Sequence, residues 1–362
     1  MNILIPHGWL KDYLETKANP EKIAECLSLC GASVEKINKV NNDFIYDIEI
    51  TTSRVDMMSI LGIAREAAAI LPQFGIKTKL KKDIYSKRFD SSIKKGRILM
   101  KNKLKVIIKN PKLCPRFTAV ILDNIKIKPS PKIIQERLRK AGMRPINNIV
   151  DISNYLMHEL GQPVHIFDYE KISKKIMTLR ESKKGEKLIT LDNKTHNLPG
   201  GDIVIEDGKG RLIDLCGIMG GRNSSIDQKT KRVLLFIQNY EPSHIRKTSM
   251  ILGHRTEAAT LFEKKVDPEL TMPTLLNGIK LIKENAQSKI ASKIIDIYPK
   301  PYKPKTVAVP LQLIKQYLGI SIQLNKVIKI LISLGFQIKQ STINNYCALV
   351  EGAGYKHSRR FN

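Results

Sequence analysis

Ser153 and Asn154 follow Asp151 directly and pair a hydroxyl with a carboxamide, donors and acceptors suited to holding a polar ligand. By type alone, N-capping of a helix by Asp151 or Ser153 accounts for them equally well. His165 closes the run Gln162-Pro-Val-His165, where an imidazole can position a water or a hydroxyl. A single histidine beside a strand is, by type, more often a hydrogen-bonded structural group. Gly217-Ile-Met-Gly-Gly221 lets backbone approach a ligand closely, and Gly220-Gly221 serves a plain β-turn just as well. Cys216 precedes that run, with nothing in the sequence to argue for a reactive thiol.

Charge is the strongest global signal: 62 Lys and Arg against 34 Asp and Glu give +28 in 362 residues. Such a balance suits a polyanionic partner, although a Lys- and Ile-rich composition alone also produces it. Between Lys77 and Lys109, thirteen Lys or Arg face only Asp83 and Asp90, so this stretch carries +11 of the total. It reads as a solvated linker ending in a strand, or as an arm that tracks phosphates through groups such as Lys94, Lys95, Arg97 and Lys101. Five cysteines without a CxxC pair point to reduced thiols, and Cys26 and Cys30, on one helical face, read as small buried groups. No set of metal ligands stands out by spacing, so no metal is expected on the chain. Apolar runs fall far short of the ~20 residues of a membrane span, and Met1 to Leu10 lacks the pattern of a secretory signal, so a cytoplasmic location is expected.

The elements that must position these groups are legible in outline. Asn19 as N-cap, Pro20 at the first helical position and the Ile23/Leu27/Cys30 stripe predict a helix ended by Gly31. Strands are expected over Ser33 to Ile37 and Asp47 to Thr51, and a helix from about Ser59 to Ile70. Further on, strands Lys105 to Ile108 and Arg116 to Leu122 precede a helix opened by Ser130-Pro131, striped by Ile133, Ile134 and Leu138 and closed by Gly142. Short strands between Val164 and Ile205 suggest a mixed sheet, and a helix is expected over about Asp267 to Ala286, with Leu270, Leu275, Ile279 and Ile282 inward. Helices Leu311 to Leu318 and Asn325 to Leu334 and a strand Phe336 to Lys339 follow, after which the pattern stops as though the chain ended inside a domain.

Several longer motifs are shared with a known family. Arg144-Pro-Ile-Asn-Asn-Ile-Val-Asp-Ile-Ser-Asn-Tyr155, Glu159-Leu-Gly-Gln-Pro-Val-His-Ile-Phe-Asp168, Gly217 to Gly221, Arg255-Thr-Glu-Ala-Ala259, Phe262-Glu263 and Val266-Asp-Pro-Glu-Leu270 together resemble the beta subunits of bacterial phenylalanyl-tRNA synthetases. Trp9-Leu-Lys-Asp-Tyr13, Asp47-Ile-Glu-Ile-Thr51 and Ser59 to Glu66 resemble the N-terminal module of the same family. The similarity is collinear from residue 1 to about 340. It implies an α+β, multidomain fold: a small N-terminal α+β module (1–72) without the inserted oligonucleotide-binding barrel, which would fall near Val40 to Asp43; a basic linker (73–106); a larger mixed-sheet editing-type, tRNA-binding domain (107–297); an incomplete helical module (298–341); and an unmatched tail (342–362).

The resemblance further implies an alpha2-beta2 ligase whose alpha subunit binds ATP, magnesium and phenylalanine, while the beta subunit contacts tRNA and carries a site that hydrolyses Tyr-tRNA. Matching positions place Ser153, Asn154 and His165 in that editing pocket, with Cys216, where the family usually has alanine, and Gly217, Gly220 and Phe236 lining it. Phe236 is the departure with consequences. In Val233-Leu-Leu-Phe-Ile-Gln-Asn-Tyr-Glu-Pro242 it stands where the family has the glutamate that accepts the tyrosine hydroxyl, so tyrosine capture is expected to be weakened. A free-standing tRNA deacylase and a noncatalytic basic RNA-binding protein are the rival readings, the first opposed by Phe236 and the second supported mainly by charge.

Overall fold

The computed structural model describes residues 1–81, 103–303, 306–340 and 346–350. Lys94, Lys95, Arg97 and Lys101 lie outside the described residues. Contacts divide the chain into two units: one joins Met1–Ile50 with the stretch from Ile60 and the segment from Pro301, the other takes Thr51–Ser59 and the chain up to Lys300.

In the first unit, Asn19 Oδ1 accepts from the Lys22 amide at 2.8 Å and opens the helix Pro20–Cys30, which buries Ile23, Ala24, Cys26 and Leu27. The expected stripe stops one turn early: Ser28 to Cys30 are exposed, so Cys30 is a surface thiol and only Cys26 is a buried one. A three-stranded antiparallel sheet runs in the order Asn2–Pro6, Asp43–Glu49, Ser33–Val40. Val40 pairs with Asp43, so the chain reverses through Asn41 and Asn42 alone, with Asn41 at φ 52°, a conformation asparagine tolerates. The segment from Pro301 holds helices Leu311–Leu318 and Leu324–Ser333 and, beside them, an antiparallel sheet ordered Thr306–Pro310, Tyr346–Val350, Gln337–Gln340. The segment is thus not purely helical, and Tyr346–Val350 continues it as a strand inside the tail expected to be unpatterned; its partner strand Thr306–Pro310 lies 40 residues upstream at register Pro310↔Tyr346 to Thr306↔Val350, beyond the reach of local pattern.

The second unit is built on two sheets. One is mixed, ordered Met219–Gly220, Leu212–Leu215, Ile203–Asp207, Ile176–Glu181, Lys105–Ile108, with only the last pair parallel. The other is antiparallel: Phe117–Asp123 pairs Val233–Gln238, which pairs His165–Asp168, while Lys289–Ile290 and Ile295–Ile297 add to the far edge of Phe117–Asp123. All six residues of Val233–Gln238 are buried, as a near-continuous apolar run in a central strand should be. The helix Thr271–Ala286 packs on it, brought close by Gly278, where a Cβ would lie 2.9 Å from Leu235 Cδ2. The inward Leu270, Leu275, Ile279 and Ile282 are all buried, and the helix begins at Thr271 after a 3-10 turn, Pro268–Leu270, capped by Asp267. In the helix Lys132–Lys140 the buried face is Ile134 and Leu138; Ile133, one residue off that i, i+4 line, is 54% exposed. Among the described residues no helix is long and apolar enough to cross a membrane.

Candidate functional site

Gln162 fixes the entry to the site. Its buried amide donates to Gln238 O and Pro163 O, each at 3.1 Å, joining the start of one strand to the end of its neighbour. The strand His165–Asp168 then pairs antiparallel with Val233–Gln238 so that His165 faces Phe236 across the ladder. Cross-strand partners share a face. The His165 ring stacks on Phe236 (centroids 5.5 Å, 21°), Phe236 stacks on Phe117 (5.8 Å, 21°), and Phe167 meets Phe236 edge-on at 4.7 Å. Phe236 is fully buried in this aromatic wall, while the His165 side chain keeps 19% of its surface.

Behind His165 stands a residue that motif reading passed over. Asp214, in the strand Leu212–Leu215, is fully buried, with Oδ1 3.7 Å from His165 Nε2. Neither carboxylate oxygen has a hydrogen-bond partner of normal geometry. Burial pushes its carboxyl up to about 6, against the pull of His165 and a weak contact with the Cys216 thiol. An acid within Leu-Ile-Asp-Leu, four residues that are all buried, was the available signal, since a buried unpaired acid is rare.

This placement has a measurable pH signature. The Asp214 carboxyl is raised from ~3.9 in an unfolded chain to about 6 in the fold, so between those values the folded chain holds the extra proton. The stabilising contribution of that raised value is fully present below about pH 4 and is lost as pH rises through 6, a swing of order ~3 kcal/mol. In urea unfolding, Asp214→Asn should gain on the wild type by about that much between pH 4 and 7. A difference that stays flat across that range would mean the carboxylate has a partner.

The glycine run divides in two. Gly217 sits at φ 70°, and a Cβ there would meet Ile245 Cδ1 at 2.8 Å, Tyr240 Cδ2 at 3.1 Å and Phe262 Cδ2 at 3.2 Å. The space a side chain would take there is filled by core. Gly220 does the positional work: a Cβ would lie 3.2 Å from His165 Cε1, so the missing side chain is what admits the imidazole. Cys216 is buried, its thiol pushed well up by that burial, which makes it a packing residue.

Ser153 and Asn154 lie half-buried in the helix Val150–Leu160. Neither Asp151 nor Ser153 is the N-cap. Asn147 Oδ1 takes the amides of Ile149 and Val150 at 3.0 Å, and Asp151 is instead a buried acceptor for Ser130 Oγ and the Ile146 amide, both at 2.6 Å. Ser153 Oγ donates to Val150 O at 2.7 Å. Among the described residues no hydrogen bond or ring contact joins Ser153 or Asn154 to His165. A separate cavity of about 380 Å³ is lined by Lys103, Lys105 and Lys293 with Leu104, Ile121, Ser292 and Ile295.

The B3/4 domain family matches residues 113–287, the part that holds both sheets' central strands together with His165, Asp214 and Phe236. The phenylalanine–tRNA ligase beta subunit of Carboxydothermus hydrogenoformans is 37% identical over 326 residues, which cover 90% of this chain and 39% of that protein. Its counterpart in Clostridium acetobutylicum is 39% identical over 292 residues, 81% of this chain and 35% of that protein. The chain therefore spans somewhat more than a third of the length of these relatives. In fold it is similar to an N-terminal fragment of the phenylalanyl-tRNA synthetase beta subunit of Pyrococcus horikoshii, with a TM-score of 0.50 at 12% identity, covering 98% of this chain and 94% of the other.

Proposed function

From its similarity to phenylalanine–tRNA ligase beta subunits over 81–90% of its length, we propose that the chain works with an alpha subunit in such a ligase, contacts tRNA, and carries a hydrolytic site for aminoacyl-tRNA centred on His165. The observation that carries this reading is the half-open imidazole of His165, wedged between the aromatic wall of Phe236 and the buried carboxylate of Asp214. In the proposed step His165 takes a proton from a water, whose oxygen attacks the ester carbonyl. The tRNA 3′-oxygen leaves and takes a proton, releasing amino acid and tRNA. Asp214 acts through His165 by orienting the ring, and is a positioning residue. Phe236 puts no acceptor where the resemblance expects one for the tyrosine hydroxyl, so the site hydrolyses Tyr-tRNA and Phe-tRNA with little preference. Desolvating a phenolic hydroxyl without a partner costs about 1–3 kcal/mol.

Phenylalanine activation with ATP and magnesium belongs, on this reading, to the alpha partner. The purified chain is expected to give no phenylalanine-dependent ATP–pyrophosphate exchange, and exchange above background would move the activating site onto this chain. The deciding experiment is co-expression with a bacterial alpha subunit, followed by co-purification and ester hydrolysis assays. Co-purification supports the ligase reading. Hydrolysis by the chain alone without alpha binding supports a deacylase acting in trans, and salt-sensitive tRNA binding with neither supports a basic RNA-binding protein.

A further inference from the structure

A second cluster of chemistry-bearing side chains lies outside the pocket. Asp192 sits in the turn of the hairpin formed by Lys187–Ile189 and Thr195–Asn197, His196 is in the second of those strands, and His254 follows the helix Pro242–Ile251. Each offers a ligand atom within 4.8 Å of the others. The two imidazoles are buried edge to face, centroids 5.0 Å apart, and the Nε2 atom of each is buried without a hydrogen-bond partner. Two orphaned ring nitrogens side by side are costly unless something accepts or coordinates them.

We propose that Asp192, His196 and His254 form a binding site for one divalent transition-metal ion, with zinc the best fit. Two imidazoles and one carboxylate are a donor set zinc takes readily, with water as the fourth ligand. Tetrahedral zinc with bonds of about 2.0–2.2 Å holds its ligand atoms roughly 3.3–3.5 Å apart. Closing from 4.8 Å therefore asks about 1–1.5 Å of side-chain movement. The carboxylate is already aimed: Thr190 Oγ1 donates to Asp192 Oδ1 at 2.6 Å, leaving Oδ2, 4.0 Å from His254 Nδ1, to face the imidazoles. Among the described residues, the exposed Lys194 ammonium lies 3.5 Å from Oδ2, a pair that water and salt weaken. Asp192 is itself exposed and supplies the entry path.

The site would tie two loops that flank the pocket. Leu191, next to Asp192, donates its amide to Gly220 O at 3.1 Å, and Thr256, two residues after His254, donates its hydroxyl to Ile218 O at 3.0 Å. A metal joining these loops stiffens the Gly217 to Gly221 run from outside. Its function is structural, and the site stands whether or not the pocket hydrolyses esters.

The test uses the full chain, stripped with a chelator and titrated with zinc chloride by calorimetry, with cobalt(II) as a spectroscopic substitute. One zinc per chain, a rise in melting temperature over the stripped protein, and a tetrahedral cobalt visible spectrum without a thiolate charge-transfer band are expected. His196→Ala and His254→Ala should each abolish stoichiometric binding. Thr190→Val, which keeps all three ligands, should weaken it about 10- to 100-fold. Absence of stoichiometric zinc binding by the wild type, undiminished binding in the His196→Ala, His254→Ala double variant, or a cobalt–thiolate band would each overturn the assignment. Should the histidine variants fail to fold, the wild-type cobalt spectrum decides, since it separates nitrogen and oxygen donors from the chain's thiols.

Discussion

Replacing His165 by alanine is expected to slow aminoacyl-ester hydrolysis by about 10²- to 10⁴-fold, the usual span for removal of a positioned general base. Stability should change little by comparison, because 19% of the side chain stays in solvent. Asp214→Asn should also slow the reaction, by less, and through a different signature. The amide keeps the shape but removes a carboxyl that ionises near pH 6, 3.7 Å from Nε2, so the inflection that Asp214 gives the pH–rate profile near pH 6 should vanish as the rate falls. A merely structural Asp214 would change the amplitude and leave the profile in place. Full activity in His165→Ala would remove the imidazole from the chemistry altogether.

How much of this was readable in advance follows the range of the interactions. The Asn19-Pro20 start is settled within four residues, and the structure shows the bond from the Lys22 amide that the residue types implied. Capping by Asp151 or Ser153, the plain alternative the residue types allow, is not what forms: the partner of Asp151, Ser130, is 21 residues upstream, and Asn147, which takes the first amides, is an ordinary asparagine in an Asn-Asn pair. Gly217 and Gly220 look alike in sequence. Their separate duties come from what each faces, the core formed by Ile245, Tyr240 and Phe262 in one case and the His165 ring in the other. Asp214 is the clearest case. Nothing within ten residues of it explains a carboxylate in a buried strand, and its reason for being there, His165, arrives from the strand of a different sheet. Motif comparison singled out Phe236 because the run around it is ungapped, but only the fold shows that its neighbours are three further rings.

Those rings make Phe236→Glu the most demanding test of the pocket. The substitution trades a fully buried aromatic side chain for a carboxylate against Phe117, Phe167 and His165. Truncating a buried phenylalanine costs about 3–5 kcal/mol, and an unpaired buried charge adds to that. A buried carboxyl also relieves itself by taking up a proton, which leaves its carbonyl oxygen able to accept. A marked fall in melting temperature is therefore expected, so the comparison of substrates belongs at a temperature well below the variant's transition. Under those conditions the new carboxylate can accept a phenolic hydrogen, and a hydroxyl that gains a partner is worth about 1–3 kcal/mol, or roughly 5- to 150-fold in relative rate. The ratio of Tyr-tRNA to Phe-tRNA hydrolysis should rise by that order over the wild type, whose own ratio should lie within a few-fold of one. Phe236→Leu is the control: it opens similar space and supplies no acceptor, so its ratio should stay at the parental value. If the unmodified chain already hydrolyses Tyr-tRNA selectively, the hydroxyl has another acceptor, and Asp214, the buried carboxyl 3.7 Å from His165, is where it should be sought first.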